Sequence, residues 1–162
     1  MKRAILLLAL ALPACGLHPL YSGGAVGPVA SGLAAVEVAP IEGRGGWLVA
    51  NALRDRLAPQ GTARYRLDIK LDDRIAGLGV RRDDSVARER RTLRARYQLV
   101  DITTSAVVID ATAGSDAGID VVGSEYATIA AENTALERLA GIVADQIVGR
   151  LALYTRSQAA QK

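Results

Sequence analysis

Two stretches of the chain, 64–72 and 92–99, alternate polar and apolar side chains, and this period of two, which predicts strands at 64–72 and 86–102, constrains the fold most strongly. In the first stretch the apolar positions are Tyr65, Leu67, Ile69 and Leu71; in the second they are Leu93, Ala95, Tyr97 and Leu99. Successive side chains of a strand point to opposite faces, so the pattern predicts a sheet with one buried and one solvated face. Such a sheet needs a second layer on its apolar side.

Helical spacing supplies that layer. Positions 47, 50, 53 and 57 follow one face of a helix over 47–58, and a longer stripe predicts a second helix over 125–154, with Ser124 as its N-cap. Short strands are predicted at 36–41 and 106–112, and 114–123 is predicted as a Gly/Asp-rich connection. The predicted class is α+β, with two helices packed on one face of a mostly antiparallel four-stranded sheet in the order β-α-β-β-β-α.

The first 14 residues are typical of a secretory signal peptide. Lys2 and Arg3 precede a nine-residue run of Ala, Ile and Leu, and Ala14 offers a small residue at the cleavage point before Cys15. The run is too short to cross a bilayer, which needs about 20 apolar residues. Leu12, Ala14 and Cys15 resemble the lipobox of bacterial lipoproteins, which implies lipidation of Cys15 and, because Gly16 follows, sorting to the periplasmic face of the outer membrane.

The rest of the chain divides into three parts. Residues 15–32 contain much Gly and no charged side chain, which predicts a flexible lipidated tether. Residues 33–154 form a single α+β domain, and residues 155–162 are predicted to be a polar, fraying tail. Removing residues 1–14 takes two of the 20 cations, so that 18 face 17 anions.

The composition argues against catalysis. One Cys and one His exclude an internal disulfide and zinc sites that need several such ligands. His18 lies in the predicted tether, away from any pocket that could make it a general base. The carboxylate pairs at 72–73 and 83–84 lack a surrounding cage of oxygen ligands and are interpreted as solvated turn charges. We therefore expect no enzyme, no metal and no cofactor.

Arginine is concentrated in the middle of the chain. Of the 17 Arg residues, ten lie between Arg64 and Arg96. Period-two geometry places four of them on one face of a strand. The preceding strand adds four cations to the polar side, Arg64, Arg66, Lys70 and Arg74, partly offset by Asp68 and Asp72. The candidate ligand or partner contacts are Arg88, Arg90, Arg94, Arg96, Arg66 and Lys70. Arg91 is predicted to point to the other face. The row is either a solvated face paired with Asp residues across strands or an anion-binding face, since Arg offers a forked donor to phosphate.

The predicted mature start, Cys15-Gly16-Leu17-His18-Pro19-Leu20-Tyr21, resembles the opening of LptE, the lipopolysaccharide-assembly lipoprotein family, in its alphaproteobacterial form. The order of strands and the Ala-rich helix after Ser124 are similar too. The resemblance implies a plug inside the LptD outer-membrane β-barrel that assists barrel assembly and binds lipopolysaccharide. Under this interpretation the Arg row contacts lipid A phosphates or the barrel lumen, and export excludes nucleic acid as a partner.

Two alternatives remain open at this point. One is an auxiliary lipoprotein of an ABC- or MCE-type phospholipid transport system, whose soluble domains are also small α+β lipoproteins. The other is a purely structural envelope lipoprotein. The identity of a co-purifying membrane partner separates all three.

Overall fold

Three helices and four strands make up the part of the chain described by the computed structural model, residues 27–80 and 86–160. In chain order they are α1 (Pro28–Ala34), β1 (Val36–Val38), α2 (Gly43–Leu57), β2 (Tyr65–Val80), β3 (Val86–Asp101), β4 (Val107–Asp120) and α3 (Glu125–Ala160). This confirms the predicted α+β class, with one more helix at the start.

The strands lie side by side in the order β1-β2-β3-β4. β1 pairs with β2 in parallel, whereas β2–β3 and β3–β4 are antiparallel. Leu99 lies opposite Leu67 on β2 and Ile109 on β4, so the three strands bring their apolar positions to the same face. In the turn after β3, Asp101 accepts backbone N–H bonds from Thr103 and Thr104, which lower the pKa of its carboxyl.

The core lies between this face and the helices. Fully buried side chains come from every layer: Val36, Val49, Leu53, Leu67, Leu93, Leu99, Leu139, Val143, Ile147 and Leu151. None of the described helices is long and apolar enough to span a membrane. Because all the described helices pack on the apolar face, the other face of the sheet, formed by the polar positions of the strands, is open to solvent.

Helix α1 begins within the stretch 15–32 that glycine content predicted as tether and ends two residues beyond it, at Ala34. Pro28 at the first turn suits helix initiation because its missing N–H would be unpaired there in any case. Val29 and Leu33, four positions apart, place two buried side chains on one side of the helix. The tether prediction therefore does not hold for 28–32. Residues 15–26 and the signal peptide lie outside the described residues.

Helix α2 begins at Gly43, four residues before the predicted start. Ala50, Leu53 and Leu57 are buried as predicted, but Trp47 is 62% exposed, so its assignment to the buried stripe was wrong. Gly46 is buried instead. Its backbone lies so close to Ile41 that a Cβ at this position would be 2.5 Å from the Ile41 carbonyl oxygen.

Three further boundaries differ from the predictions. β1 ends at Val38, and β4 runs to Asp120, through the segment 114–120 that was predicted as a connection. Helix α3 continues six residues beyond Tyr154, to Ala160, and buries Thr155. The predicted fraying tail is therefore helical as far as Ala160. The carboxylate pair at 83–84, interpreted as solvated turn charges, lies outside the described residues.

Candidate anion-binding face

The solvent-facing side of the sheet, which we call the outer face, carries the even-numbered positions of β2, β3 and β4. All six candidate residues project from this face and are exposed: Arg66 and Lys70 on β2, and Arg88, Arg90, Arg94 and Arg96 on β3. Because alternate residues of a strand lie about 7 Å apart, the row from Arg88 to Arg96 is about 27 Å long. The geometry could therefore accommodate a ligand with several separated negative groups.

Strand β4 supplies carboxylates to this row. Arg88 Nε lies 2.9 Å from Asp120, Arg96 Nη2 lies 3.1 Å from Asp110, and Arg90 Nε lies 3.8 Å from Asp116. The hydrogen bond with Asp110 raises the pKa of Arg96, and the same bond, helped by Gln98, lowers the pKa of the Asp110 carboxyl. All three pairs are exposed, and exposed ion pairs contribute little to stability, so a phosphate could displace the carboxylates at low cost.

On β2 the cations pair along their own strand. Arg66 donates two bonds to Asp68 from Nε and one from Nη2, and Arg74 Nε donates to Asp72 at 2.8 Å. The hydrogen bonds to Asp68 raise the pKa of Arg66. Within these two pairs the outer face is locally neutral.

Lys70 and Arg94 form no ion pair with any other residue of the ranges 27–80 and 86–160. Arg94 lies across from Gly114 on β4, and its Nη1 would be 3.3 Å from a Cβ at that position, so the missing side chain leaves room for the guanidinium. Lys70 lies directly opposite Arg96 on β3. Like charges opposite each other destabilise a sheet, so this pair favours an anion between them.

A concavity of about 420 Å³ opens beside this pair of cations. Its lining is formed by the chain after β1 and the neighbouring strands: Ala39, Pro40, Asp68, Ile69, Lys70, Arg96 and Gln98. It is open and partly apolar, with two cations, one carboxylate and one amide at its rim. This lining could hold a phosphate together with a small part of the apolar group attached to it.

Arg91 points to the covered face, as the period of two predicted. Its Nη2 lies 2.6 Å from Asp73 and its Nη1 donates to the carbonyl of Glu132 on α3 at 2.9 Å. The hydrogen bond to Asp73 raises the pKa of Arg91. This arginine joins β2, β3 and α3 and is therefore a structural residue.

Asp110, Asp116 and Asp120 were missed as partners of the Arg row. Asp116 and Asp120 fell in 114–123, which was predicted as a connection, and Asp110 lay in the predicted strand 106–112 without being assigned a partner. All three aspartates occupy even-numbered positions of a segment whose odd-numbered positions are small or apolar. This alternation was the signal available in the sequence. Cys15 and His18 lie outside the described residues. Within 27–80 and 86–160, no group of three or more His, Cys, Asp or Glu side chains could hold a metal ion.

The fold and the face together define a class. A four-stranded sheet covered by helices on one side only, with a charged open face, is an α+β domain. The chain belongs to the LptE family of lipopolysaccharide-assembly lipoproteins, whose family model matches residues 33–151. It is thereby a non-enzymatic lipoprotein with a role in lipopolysaccharide assembly.

Solved structures of other lipoproteins share this fold. A protein from Caulobacter crescentus, described as a lipoprotein and solved by crystallography, is 28% identical to this chain in sequence. The match covers 80% of this chain and 98% of the Caulobacter chain, with a TM-score of 0.66. A minor lipoprotein from Acinetobacter baumannii (11% identity, 74% and 90% coverage, TM-score 0.61) and rare lipoprotein B from Shewanella oneidensis (11%, 77% and 98%, TM-score 0.51) share the fold. A comparison with curated proteins finds no match.

Proposed function

We propose that this lipoprotein is anchored through Cys15 to the periplasmic face of the outer membrane and plugs the LptD β-barrel, whose assembly it assists. In this position it binds lipopolysaccharide on its way to the outer leaflet. Membership of the LptE family supports the setting, and the outer face supports the ligand class. The observation that carries the ligand proposal is Lys70 facing Arg96 beside an open concavity, because a phosphate would relieve the repulsion between the two cations.

The row of four arginines extends this contact along β3. Lipid A carries separated phosphates, and a cation row of about 27 Å can meet them or the polar wall of a barrel lumen. The carboxylates of Asp110, Asp116 and Asp120 keep the empty face nearly neutral, and exposed ion pairs exchange partners at little cost.

Charge reversal tests the assignment. With Arg88, Arg90, Arg94 and Arg96 all changed to Glu, we expect at least a tenfold loss of lipopolysaccharide binding, about 1.4 kcal/mol, and reduced co-purification with LptD from outer-membrane fractions. The matched control reverses four exposed arginines of α2 and α3 that lie away from the outer face: Arg54, Arg138, Arg150 and Arg156.

Two results would contradict the proposal. Unchanged lipopolysaccharide binding and LptD co-purification in the β3 variant would show that the outer face contacts neither lipopolysaccharide nor LptD. Equal losses of binding in the β3 variant and in the helix control would show that binding depends on net charge and not on the outer face. Recovery of an inner-membrane transporter complex in place of the barrel would instead favour the phospholipid-transport alternative.

A further inference from the structure

Three carboxylates lie next to Lys70 and Arg96 on the outer face, and an arginine binds each of them. The pairs are Asp68 with Arg66, Asp72 with Arg74, and Asp110 with Arg96. Lys70 has no such partner within the ranges 27–80 and 86–160, and neither has Arg94, which lies two positions before Arg96 on β3. Two neighbouring cations of the outer face are therefore without a counter-ion in the part of the chain that the structure describes.

The pair of Arg96 with Asp110 is open to exchange. Nη2 of Arg96 lies 3.1 Å from the Asp110 carboxylate, its Nε donates at a longer 3.4 Å, and both side chains are exposed. Nε2 of Gln98 donates to the same carboxylate at 2.9 Å. Arg96 and Gln98 both line the concavity beside Lys70, so an anion that enters it can take both donors from Asp110.

We propose that this concavity is a subsite for a phosphate monoester, which displaces Asp110 from Arg96 and Gln98 and is bound in preference to a phosphodiester. The inference rests on the proposed function, because it concerns the same face, and it adds the type of phosphate that this face selects. Lys70, opposite Arg96, is the residue that we expect to determine the selection.

Charge supports the choice of a monoester. A phosphate monoester carries a charge of about −1.5 to −2 near neutral pH, whereas a diester carries a single negative charge. A diester that replaces Asp110 exchanges one negative charge for another, and it leaves one of the two unpartnered cations, Lys70 and Arg94, unmatched. A monoester matches both, and because Coulomb energy is proportional to charge, each cation attracts the monoester almost twice as strongly.

The concavity also has room for the organic group that the phosphate carries. Ala39, Pro40 and Ile69 form the apolar part of its lining, and its volume is about 420 Å³. Sites for small ligands are typically about 300–1,000 Å³. The main phospholipids of a bilayer are phosphodiesters, so a site with this preference distinguishes its ligand from the bilayer at which the protein is proposed to be anchored.

A titration of the full chain in nonionic detergent tests the preference. Methyl phosphate is the monoester and dimethyl phosphate the diester, and NMR follows the side-chain signals of Lys70, Arg96 and Gln98 at about pH 8, where the monoester is a dianion. We expect the monoester to bind about five- to tenfold more tightly. Short-chain phosphatidate and phosphatidylglycerol repeat the comparison with lipids and show whether the phosphate alone suffices or the apolar lining contributes.

Two substitutions should change binding in opposite directions. Lys70→Gln removes one unpartnered cation and should reduce the preference for the monoester about two- to threefold, because a dianion loses more than a monoanion. Asp110→Asn removes the competing carboxylate with almost no change of shape and should tighten monoester binding about three- to tenfold. The matched controls are Arg138→Gln on α3 and Asp55→Asn on α2, which make the same changes of charge at exposed positions away from the outer face.

Equal affinity for the monoester and the diester would overturn the proposal, and so would a preference that Lys70→Gln leaves intact. Monoester binding that Asp110→Asn does not tighten, or that Asp55→Asn tightens equally, would show that Asp110 does not compete for Arg96. These failures are distinguishable from failure of the proposed function, which is refuted only if reversal of the four β3 arginines leaves both lipopolysaccharide binding and LptD co-purification unchanged.

Discussion

Arg91 and Arg94 are three positions apart on β3, and they have different physical roles. The Arg91 side chain is only 12% exposed and makes three hydrogen bonds, two to the Asp73 carboxylate and one to the Glu132 carbonyl. Arg94 is exposed and forms no ion pair within the described residues. The odd-numbered arginine therefore stabilises the fold, while the even-numbered one is available to a ligand.

Arg91→Leu should lower the free energy of unfolding by about 2–3 kcal/mol. The substitution leaves the partly buried Asp73 carboxylate and the Glu132 carbonyl without their donor, and bonds to charged groups contribute about 1.5–3 kcal/mol. Urea denaturation measures the loss. Arg94→Leu is the matched control and should stay within about 0.5 kcal/mol of wild type. Equal stability of the two variants would show that the Arg91 contacts are replaced by water at no cost.

The sequence was sufficient to predict the side of the sheet on which each arginine lies, because the parity of residue numbers along a strand decides it. It was not sufficient to predict the partners. Asp73 has the same parity as Arg91, but their pairing depends on the β2–β3 register, in which Ile75 lies directly opposite Arg91 and Asp73 opposite Leu93. Trp47 fits the apolar stripe of α2 by spacing alone and still faces solvent, because no layer of the described chain covers that flank.

At the level of elements, α2 is positioned by a close approach at its first turn. The Gly46 backbone packs against the carbonyl of Ile41, in the connection from β1, and this contact places the N-terminus of α2 over β2. Only glycine fits, since an ideal Cβ would lie 2.5 Å from the oxygen and 2.7 Å from the carbonyl carbon. These are backbone atoms, so the clash cannot be relieved by a side-chain rotation.

Gly46→Ala should therefore destabilise the domain by about 1–3 kcal/mol, the range for overpacking a tight site. Gly149→Ala provides the control: this glycine lies inside α3 with nothing within 4 Å of the position that a Cβ would take, and alanine should stabilise the helix by about 0.5–1 kcal/mol. Thermal denaturation of both variants should give shifts of opposite sign. A Gly46→Ala protein as stable as wild type would mean that the β1–α2 connection moves freely.

The predictability of the elements follows from how strongly their own residues specify them. β2 and β3 were predicted from the sequence because long alternation with large apolar residues occurs only in half-buried strands. The second half of β4 was missed because its inward positions before Ile119 are small and its outward positions include Gly114, Gly118 and Asp116, which are typical of turns. Its strand form comes from pairing with β3, so tertiary contacts override the local preference.

For the whole molecule, the two ends of the described chain pack against each other. A Cβ on Gly32 of α1 would lie 2.8 Å from Cγ2 of Thr155, so the two helices touch at this point. The family model ends at residue 151, yet α3 continues and covers α1 with its last turns. The proposed membrane attachment at Cys15 precedes α1 in the chain, so α1 is the first described element after the proposed anchor.

A chain that stops after Tyr154 should lose this cover. Val29 and Leu33 of α1 would gain exposure, and we expect a loss of about 2 kcal/mol, in line with partial exposure of two apolar side chains. Hydrogen exchange should locate the effect, with protection lost in α1 and retained in β2 and β3. The control stops after Ala160 and should behave as wild type. If the chain ending at Tyr154 kept α1 protected, the last turns of α3 would be dispensable, as expected of a polar tail that frays.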